Sequence, residues 1–273
     1  MNKKLIGIFC FLFFCNLIAF LFIFNKEDNL RVTFFNIGQG DSIFIETNQG
    51  HQILIDGGPD NSVLNSLEKR MNPFDKNIDM IILTHVDKDH LAGIVSVLKI
   101  YEVDVFVWTG EESDSALFQE LKELLTNKKV VTVDVHDKIT IGEVIFEIYN
   151  PMIPNLSDLN DTSIVFKLIH GSSQFLLTGD VSSNLEDDLV KEFDLKSDVL
   201  KIAHHGSKNS TTNEFIKEVS PNCAVISVGK NSYGHPSERV LNLLEEEKIK
   251  IFRTDIDGEV TFFSNGEEIF VEY

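Results

Sequence analysis

The pattern of apolar and polar positions divides the chain near residue 25. Before that point residues 5–24 are apolar almost without a break, interrupted only by Gly7, Cys10, Cys15 and Asn16. Twenty residues in helix reach about 30 Å, the hydrocarbon thickness of a bilayer, so 1–24 is expected to form an N-terminal transmembrane anchor helix. The run is too long for a removable signal, and no A-x-A-like cleavage site precedes Asn25, so the anchor is expected to be retained. Lys3 and Lys4 both lie on its N-terminal side. By the positive-inside rule this leaves the N-terminus in the cytoplasm and the body outside, on the cell membrane as a single-pass protein, with a secreted form the alternative if the N-terminus is cleaved. Residues 25–29 then read as a tether to one domain over 30–273, because no Pro/Gly/Ser-rich linker, low-complexity tract or repeat interrupts that stretch.

Inside the domain the apolar period switches between two and 3.6. Segments rich in β-branched and aromatic residues at 31–36, 41–46 and 52–55 predict strands. Turn signals at Gly38-Gln39-Gly40 and Asn48-Gln49-Gly50 separate them, which is the pattern of a β-meander. Helical spacing over 60–71 is followed by a buried strand at 80–83, a helix from 90 to about 101 and a strand at 103–108. A helix around 114–126, several strands between 130 and 177, a helix around 183–193 and a strand at 199–203 come next. The tail predicts a helix at 211–218, a strand at 223–228, a helix at 237–247 and strands near 250–253, 259–263 and 268–272. Two strand-rich blocks, each followed by helices, imply an α/β fold in which two sheets pack face to face with helices outside, an αββα sandwich.

Composition changes this picture in two respects. A chain of 273 residues, 43% of them hydrophobic, can bury a sizeable core, and its 24 basic against 43 acidic residues give a formal charge of -19. That charge opposes non-specific binding of nucleic acid or anionic lipid, so a polyanionic substrate needs local help from cations. Only Cys223 lies outside the apolar run, which excludes a disulfide framework within the domain.

Candidate chemistry concentrates where apolar strands end. The segment 81–93 runs from Ile-Ile-Leu-Thr into His85, Asp87, Asp89 and His90, nitrogen and oxygen donors that suit zinc or manganese. A single such residue is usually a solvated loop group or a helix cap, and Asp89 sits where a cap belongs. Four within six residues point instead to two centres, His85 and Asp87 facing one, Asp89 and His90 the other. Two further strands end the same way, in Thr178-Gly179-Asp180 and in His204-His205-Gly206-Ser207. Asp180 could cap the next helix, but adjacent imidazoles at a strand end need partners if buried. Together the three segments offer enough donors for two divalent metal ions with positions left for water. Asp56 is a candidate to orient a ligand from beneath, or else to form a simple Asp-Gly-Gly turn. Lys201, Lys208 and Lys230 could steer phosphate, although isolated lysines usually solvate a face.

With these residues in view the chain resembles the metallo-β-lactamase superfamily, and within it the branch found as the extracellular domain of the ComEC/Rec2 competence proteins, where the second histidine of H-x-H-x-D-H is an aspartate. The likeness rests on Phe35-Asn36-Ile37-Gly38-Gln39-Gly40-Asp41, Leu54-Ile55-Asp56-Gly57-Gly58, the 85–90 segment, Thr178-Gly179-Asp180, His204-His205-Gly206-Ser207 and Tyr233-Gly234-His235-Pro236, in family order over 30–273. It implies a dinuclear hydrolase with His85, Asp87, Asp89, His90, Asp180 and one or both of His204 and His205 as ligands. Asp87 and Asp89 would orient a metal-activated water, and His235 would contact substrate or leaving group. It also implies a phosphodiesterase or nuclease acting outside the cytoplasm on DNA or a cell-envelope phosphodiester. Asn160-Asp161-Thr162-Ser163 stands where many members carry a further ligand histidine, and the resemblance does not extend to the multi-span channel of the competence proteins, so translocation is not among the expectations. Competing expectations are a hydrolase of small esters, thioesters or lactams, which Asp87 disfavours, and a catalytically silent module binding DNA or an envelope polymer. No protein partner is deducible.

Overall fold

The computed structural model of the chain describes residues 11–14, 16–17, 29–152 and 159–273. Residues 11–14 and 16–17 are helical. Among the described residues no helix is long and apolar enough to cross a membrane; the anchor expected over 1–24 and the tether over 25–29 fall, apart from those few residues and Asn29, outside the described ones.

The domain is built on two sheets. One has the strand order β15 (Ile269–Glu272), β14 (Val260–Ser264), β1 (Leu30–Phe34), β2 (Ile43–Glu46), β3 (Gln52–Ile55), β4 (Asn77–Ile82), β5 (Glu102–Trp108), β6 (Lys129–Thr132). The other runs β13 (Lys250–Arg253), β12 (Cys223–Ile226), β11 (Val199–Lys201), β10 (Ser173–Leu177), β9 (Val165–His170), β8 (Val144–Asn150), β7 (Lys138–Ile141). The expected meander is present as β1–β2–β3, all antiparallel. From β3 to β6, and from β10 to β13, neighbouring strands are parallel. Parallel neighbours need crossovers, and these supply the helices that cover both outer faces. They are α1 (Ser62–Arg70), α2 (Lys88–Leu98) and α3 (Ala116–Leu125) on the first sheet, and α4 (Ser183–Glu192), α5 (Asn213–Val219) and α6 (Glu238–Glu246) on the second.

Side-chain alternation explains the layering. In β3, Ile53 and Ile55 enter the core between the sheets while Leu54 enters the core under α1 and α2. In β11, Val199 faces the other sheet and Leu200 faces the helices. Strands buried on both faces read as continuous apolar runs. Phe262 is a hub of the central layer, meeting Phe34, Phe175 and Phe252 edge-on at centroid separations of 6.0, 6.0 and 5.7 Å. The αββα expectation holds for the domain.

One boundary differs in a way that matters. The helix expected from His90 starts at Lys88, so Asp87 rather than Asp89 stands at the N-cap, and its side chain makes no capping hydrogen bond. Asp89 and His90 therefore occupy the first helical turn. Gly93 lets that turn sit directly on the end of β3: its N–H donates to the Gly58 carbonyl at 3.0 Å and the Gly57 N–H donates to that of His90 at 2.7 Å. A Cβ at Gly93 would stand 1.8 Å from the Gly57 oxygen.

A second buried device holds the segment after β11. Glu186 on α4 is fully buried and accepts the backbone N–H groups of Thr211 and Thr212 at 2.6 and 2.8 Å, while Arg239 donates to the Thr211 and Ser210 carbonyls. Burial outweighs these donors and the nearby Arg239 and pushes the Glu186 carboxyl up to about 7. A carboxyl whose folded value exceeds its unfolded one binds more protons when folded, so stability declines as pH rises from about 4.5 to about 7, by about 3 kcal/mol in all. Urea unfolding of wild type and Glu186→Gln across pH 4.5–8 should show the wild type losing about 3 kcal/mol more than the variant over this range, since the other titrating groups are common to both; equal slopes would remove the assignment.

Candidate metal centre

The functional groups meet along one edge of the sandwich, where the parallel strands of both sheets end. Asp56 follows β3, His85 follows β4 by three residues, Asp180 follows β10 and His205 follows β11. The two sheets are tied there by the Ile164 N–H donating to the Thr84 carbonyl at 2.9 Å. Asp89, His90, Asp180 and His205 present donor atoms that all lie within 4.8 Å of one another. His85 stands beside them, its ring centroid 4.1 Å from that of His90. Asp87 lines the cleft above.

Proton accounting decides how the three inner imidazoles are oriented. His205 Nδ1 lies 2.8 Å from the Ser227 carbonyl oxygen, which can only accept, so Nδ1 carries the hydrogen. His90 Nδ1 likewise donates to the Asp56 carboxylate at 2.8 Å. Thr84 spends its hydroxyl hydrogen on Asp56 at 2.7 Å and Ser163 spends its own on the Asn160 carbonyl at 2.6 Å. Both hydroxyls therefore accept from His85 Nδ1, at 3.1 and 3.3 Å. In all three rings Nε2 is left, buried and without a hydrogen bond in the protein, as is Asp180 Oδ1.

These orphaned atoms fit a divalent cation. Asp180 Oδ2 lies 3.4 Å from His90 Nε2 and 3.3 Å from His205 Nε2, and Asp89 Oδ2 lies 3.3 Å from His205 Nε2. Donors arranged tetrahedrally at ordinary Zn–N and Zn–O distances are separated by about 3.4 Å. The electrostatics agree. Burial depresses the His85 imidazole to about 3, helped by the neighbouring His90, so it is neutral. Burial also opposes charge on His90 and His205, yet Asp180 draws both well above the usual imidazole range. The cluster therefore demands positive charge at its centre, whether imidazolium protons or a cation provide it.

A layer beneath holds the donors. Asp56 takes a left-handed backbone conformation with φ 57° and accepts from the Thr84 N–H, the Thr84 hydroxyl and His90. On the other side Asp41 pairs with Lys201 at 2.8 Å, both buried, and its second oxygen lies 3.4 Å from His205 Nδ1. Burial works against the Asp41 charge, but Lys201 holds its carboxyl far below the usual range. Lys201 thus does not steer phosphate as the sequence suggested, because it is 1% exposed and committed to Asp41. The sequence offers Gly38-Gln39-Gly40-Asp41 only as a tight turn near the site; the structure gives the Asp41 side chain a part of its own, against Lys201 and His205. Gly40 is required there, because a Cβ would stand 2.2 Å from the Asp89 carbonyl oxygen.

The adjacent histidines part company. His204 and His205 both adopt left-handed backbone with φ 51° and 52°, which sets their rings 82° apart. His205 enters the donor group, whereas His204 lines the cleft with its ring 5.4 Å from His235. His235 has a buried Nδ1 without a hydrogen bond in the protein, and burial, then His204, lowers its pKa. Ser163 occupies the neighbourhood of the missing ligand histidine, accepting the Asp180 N–H at 3.1 Å.

Support from beneath has a measurable consequence. Replacing the partner of a ligand imidazole lowers metal affinity about 10–100-fold, so Asp56→Asn should weaken Zn²⁺ or Mn²⁺ binding by that factor in chelator competition. Unchanged affinity would contradict the tautomer assignment for His90.

Comparison with known proteins agrees with this edge-centred arrangement. The profile of the metallo-beta-lactamase superfamily matches residues 36–230. The chain is 32% identical over 272 residues to ComE operon protein 3 of Bacillus subtilis, covering 91% of this chain and 35% of that protein. It is 30% identical over 240 residues to Competence protein ComA of Neisseria gonorrhoeae, covering 86% of this chain and 32% of that one. It spans about a third of the length of these relatives. Among solved structures, the metallo-beta-lactamase fold protein YhfI from Bacillus subtilis superposes with a TM-score of 0.58 at 16% identity, over 90% of this chain and 100% of that one. With two stacked sheets, donors gathered at their shared edge and a profile match over most of its length, the chain belongs to the metallo-beta-lactamase superfamily.

Proposed function

We propose that the protein is a dinuclear metal-dependent phosphodiesterase, acting outside the cytoplasm on DNA or a cell-envelope phosphodiester. The observation that carries this reading is Asp180, whose buried carboxylate has one oxygen at 3.3–3.4 Å from two imidazole nitrogens and the other unbonded. Asp89, His90 and His205 would hold one ion, His85 and Asp87 the other, with Asp180 shared. Ser163 in place of a further histidine makes the second set the weaker. When bound, zinc or manganese ions would lower the pKa of a water and offset charge on the phosphoryl oxygens.

The protein's own groups supply the rest. Asp87 and Asp89, on the cleft wall, orient the water that forms the new P–O bond. His235, lining the same cleft, gives a proton to the oxygen that departs as the old P–O bond breaks. The competence relatives support a phosphodiester of DNA over lactams and thioesters, and Asp87 where the superfamily pattern has histidine points the same way.

The test is hydrolysis of bis(p-nitrophenyl) phosphate and of single-stranded DNA with added Zn²⁺ or Mn²⁺. Both activities should be lost in Asp89→Ala and His90→Ala. Absence of hydrolysis in folded, metal-loaded protein would move the reading to another ester class or to a binding module. His235→Ala should lose about 10²-fold or more on DNA, the range for a removed general acid. It should lose much less on the nitrophenyl ester, whose leaving group departs without a proton. Equal losses would deny His235 the role of acid.

A further inference from the structure

Tyr233 is 74% exposed, yet it lines the same cleft of about 760 Å³ as Asp89, Asp180 and His205. Asn231 binds its loop at five points. Asn231 Oδ1 accepts the N–H groups of Tyr233, Gly234 and His235 at 3.0, 3.0 and 3.1 Å, and its amide donates to the Gly229 and His235 carbonyls at 2.9 and 2.7 Å. The backbone is thus anchored while the ring faces solvent. From that ring a file of aromatic groups leads inward, Tyr233 to His235 at 5.7 Å, His235 to His204 at 5.4 Å and His204 to His205 at 6.2 Å. Lys88 and Lys230, both exposed, line the cleft as well.

We infer that Tyr233 is a stacking platform for a nucleobase on the leaving-group side of the scissile phosphate, with Lys88 and Lys230 taking the flanking phosphates. This rests on the phosphodiesterase reading and narrows its substrate to single-stranded nucleic acid, since paired bases offer no free face. His235 lies between Tyr233 and the donor cluster, which sets the platform on the side where the proton is delivered. An exposed ring on an anchored loop loses little freedom when a base covers it. Stacking is indifferent to base identity because every base has a π-face, so cleavage should show little sequence preference. With a net charge of -19 the chain gains little from long-range attraction of a polyanion. Two lysines imply release of about two counterions and a shallow salt slope of about -1.4 in log K against log salt.

Binding without cleavage tests this. Anisotropy titrations of the full chain in detergent and EDTA would compare labelled oligothymidine with an abasic strand of the same length. The wild type and Tyr233→Phe should prefer the strand with bases by about tenfold, the scale of one stacked base. In Tyr233→Ala, folded by circular dichroism, the two affinities should come within about twofold. Equal affinity for both strands in the wild type, or a preference for bases that survives Tyr233→Ala, would overturn the inference. Failure of the phosphodiesterase reading appears separately, as absent metal-dependent hydrolysis of bis(p-nitrophenyl) phosphate with the base preference intact.

Discussion

A buried carboxylate without enough positive charge around it is the constraint on which this edge of the molecule depends. Asp180 is 3% exposed, and Asp41 and Asp56 beside it are equally buried. Isolated carboxylates at such burial would give up their charge. Here the fold answers in three ways. Lys201 is buried against Asp41, His90 is donated to Asp56, and the Nε2 atoms of His90 and His205 are turned to Asp180. Two of these leave donors whose remaining electron pairs face one another, an arrangement that makes sense with a cation among them.

The surrounding backbone carries a cost that the same constraint explains. Asp56, His204 and His205 all sit in left-handed conformations that L-residues visit rarely, each costing on the order of 1 kcal/mol or more. At Asp56 the turn delivers the carboxylate beneath His90. At His204 and His205 it splits two neighbouring rings between the donor cluster and the cleft wall. Breaking the Asp41–Lys201 pair by removing one partner would strand a buried charge, which typically costs about 3–5 kcal/mol. The pair is therefore better understood as fixing His205 than as adding net stability.

What the sequence revealed and what it hid follow from the range of the interactions. Strand and helix positions were legible because apolar period is local, and the αββα layering followed from their order. The 85–90 cluster was legible because four donors lie within one short loop after an apolar strand. Asp180 and His205 could be suspected from the same strand-then-donor layout, but nothing local distinguished His205 from His204, whose separation depends on two positive φ angles. Lys201 was misread because its partner, Asp41, is 160 positions away in the chain and meets it only when the sheets stack. Gly93 likewise reads as an ordinary helical residue until Gly57 is set against it. Cleft groups such as Tyr233 carry no pattern of their own and gain meaning only from the neighbours that the fold supplies.

Convergence of Asp89, His90, Asp180 and His205 on a cation can be read from anomalous diffraction of crystals grown with Mn²⁺ and recorded at the manganese edge. A strong peak is expected within bonding distance of His90 Nε2, His205 Nε2 and an Asp180 oxygen. A second, weaker peak is expected on the His85 and Asp87 side. A well-ordered cluster with no peak among these atoms, or a peak confined to surface carboxylates, would contradict it.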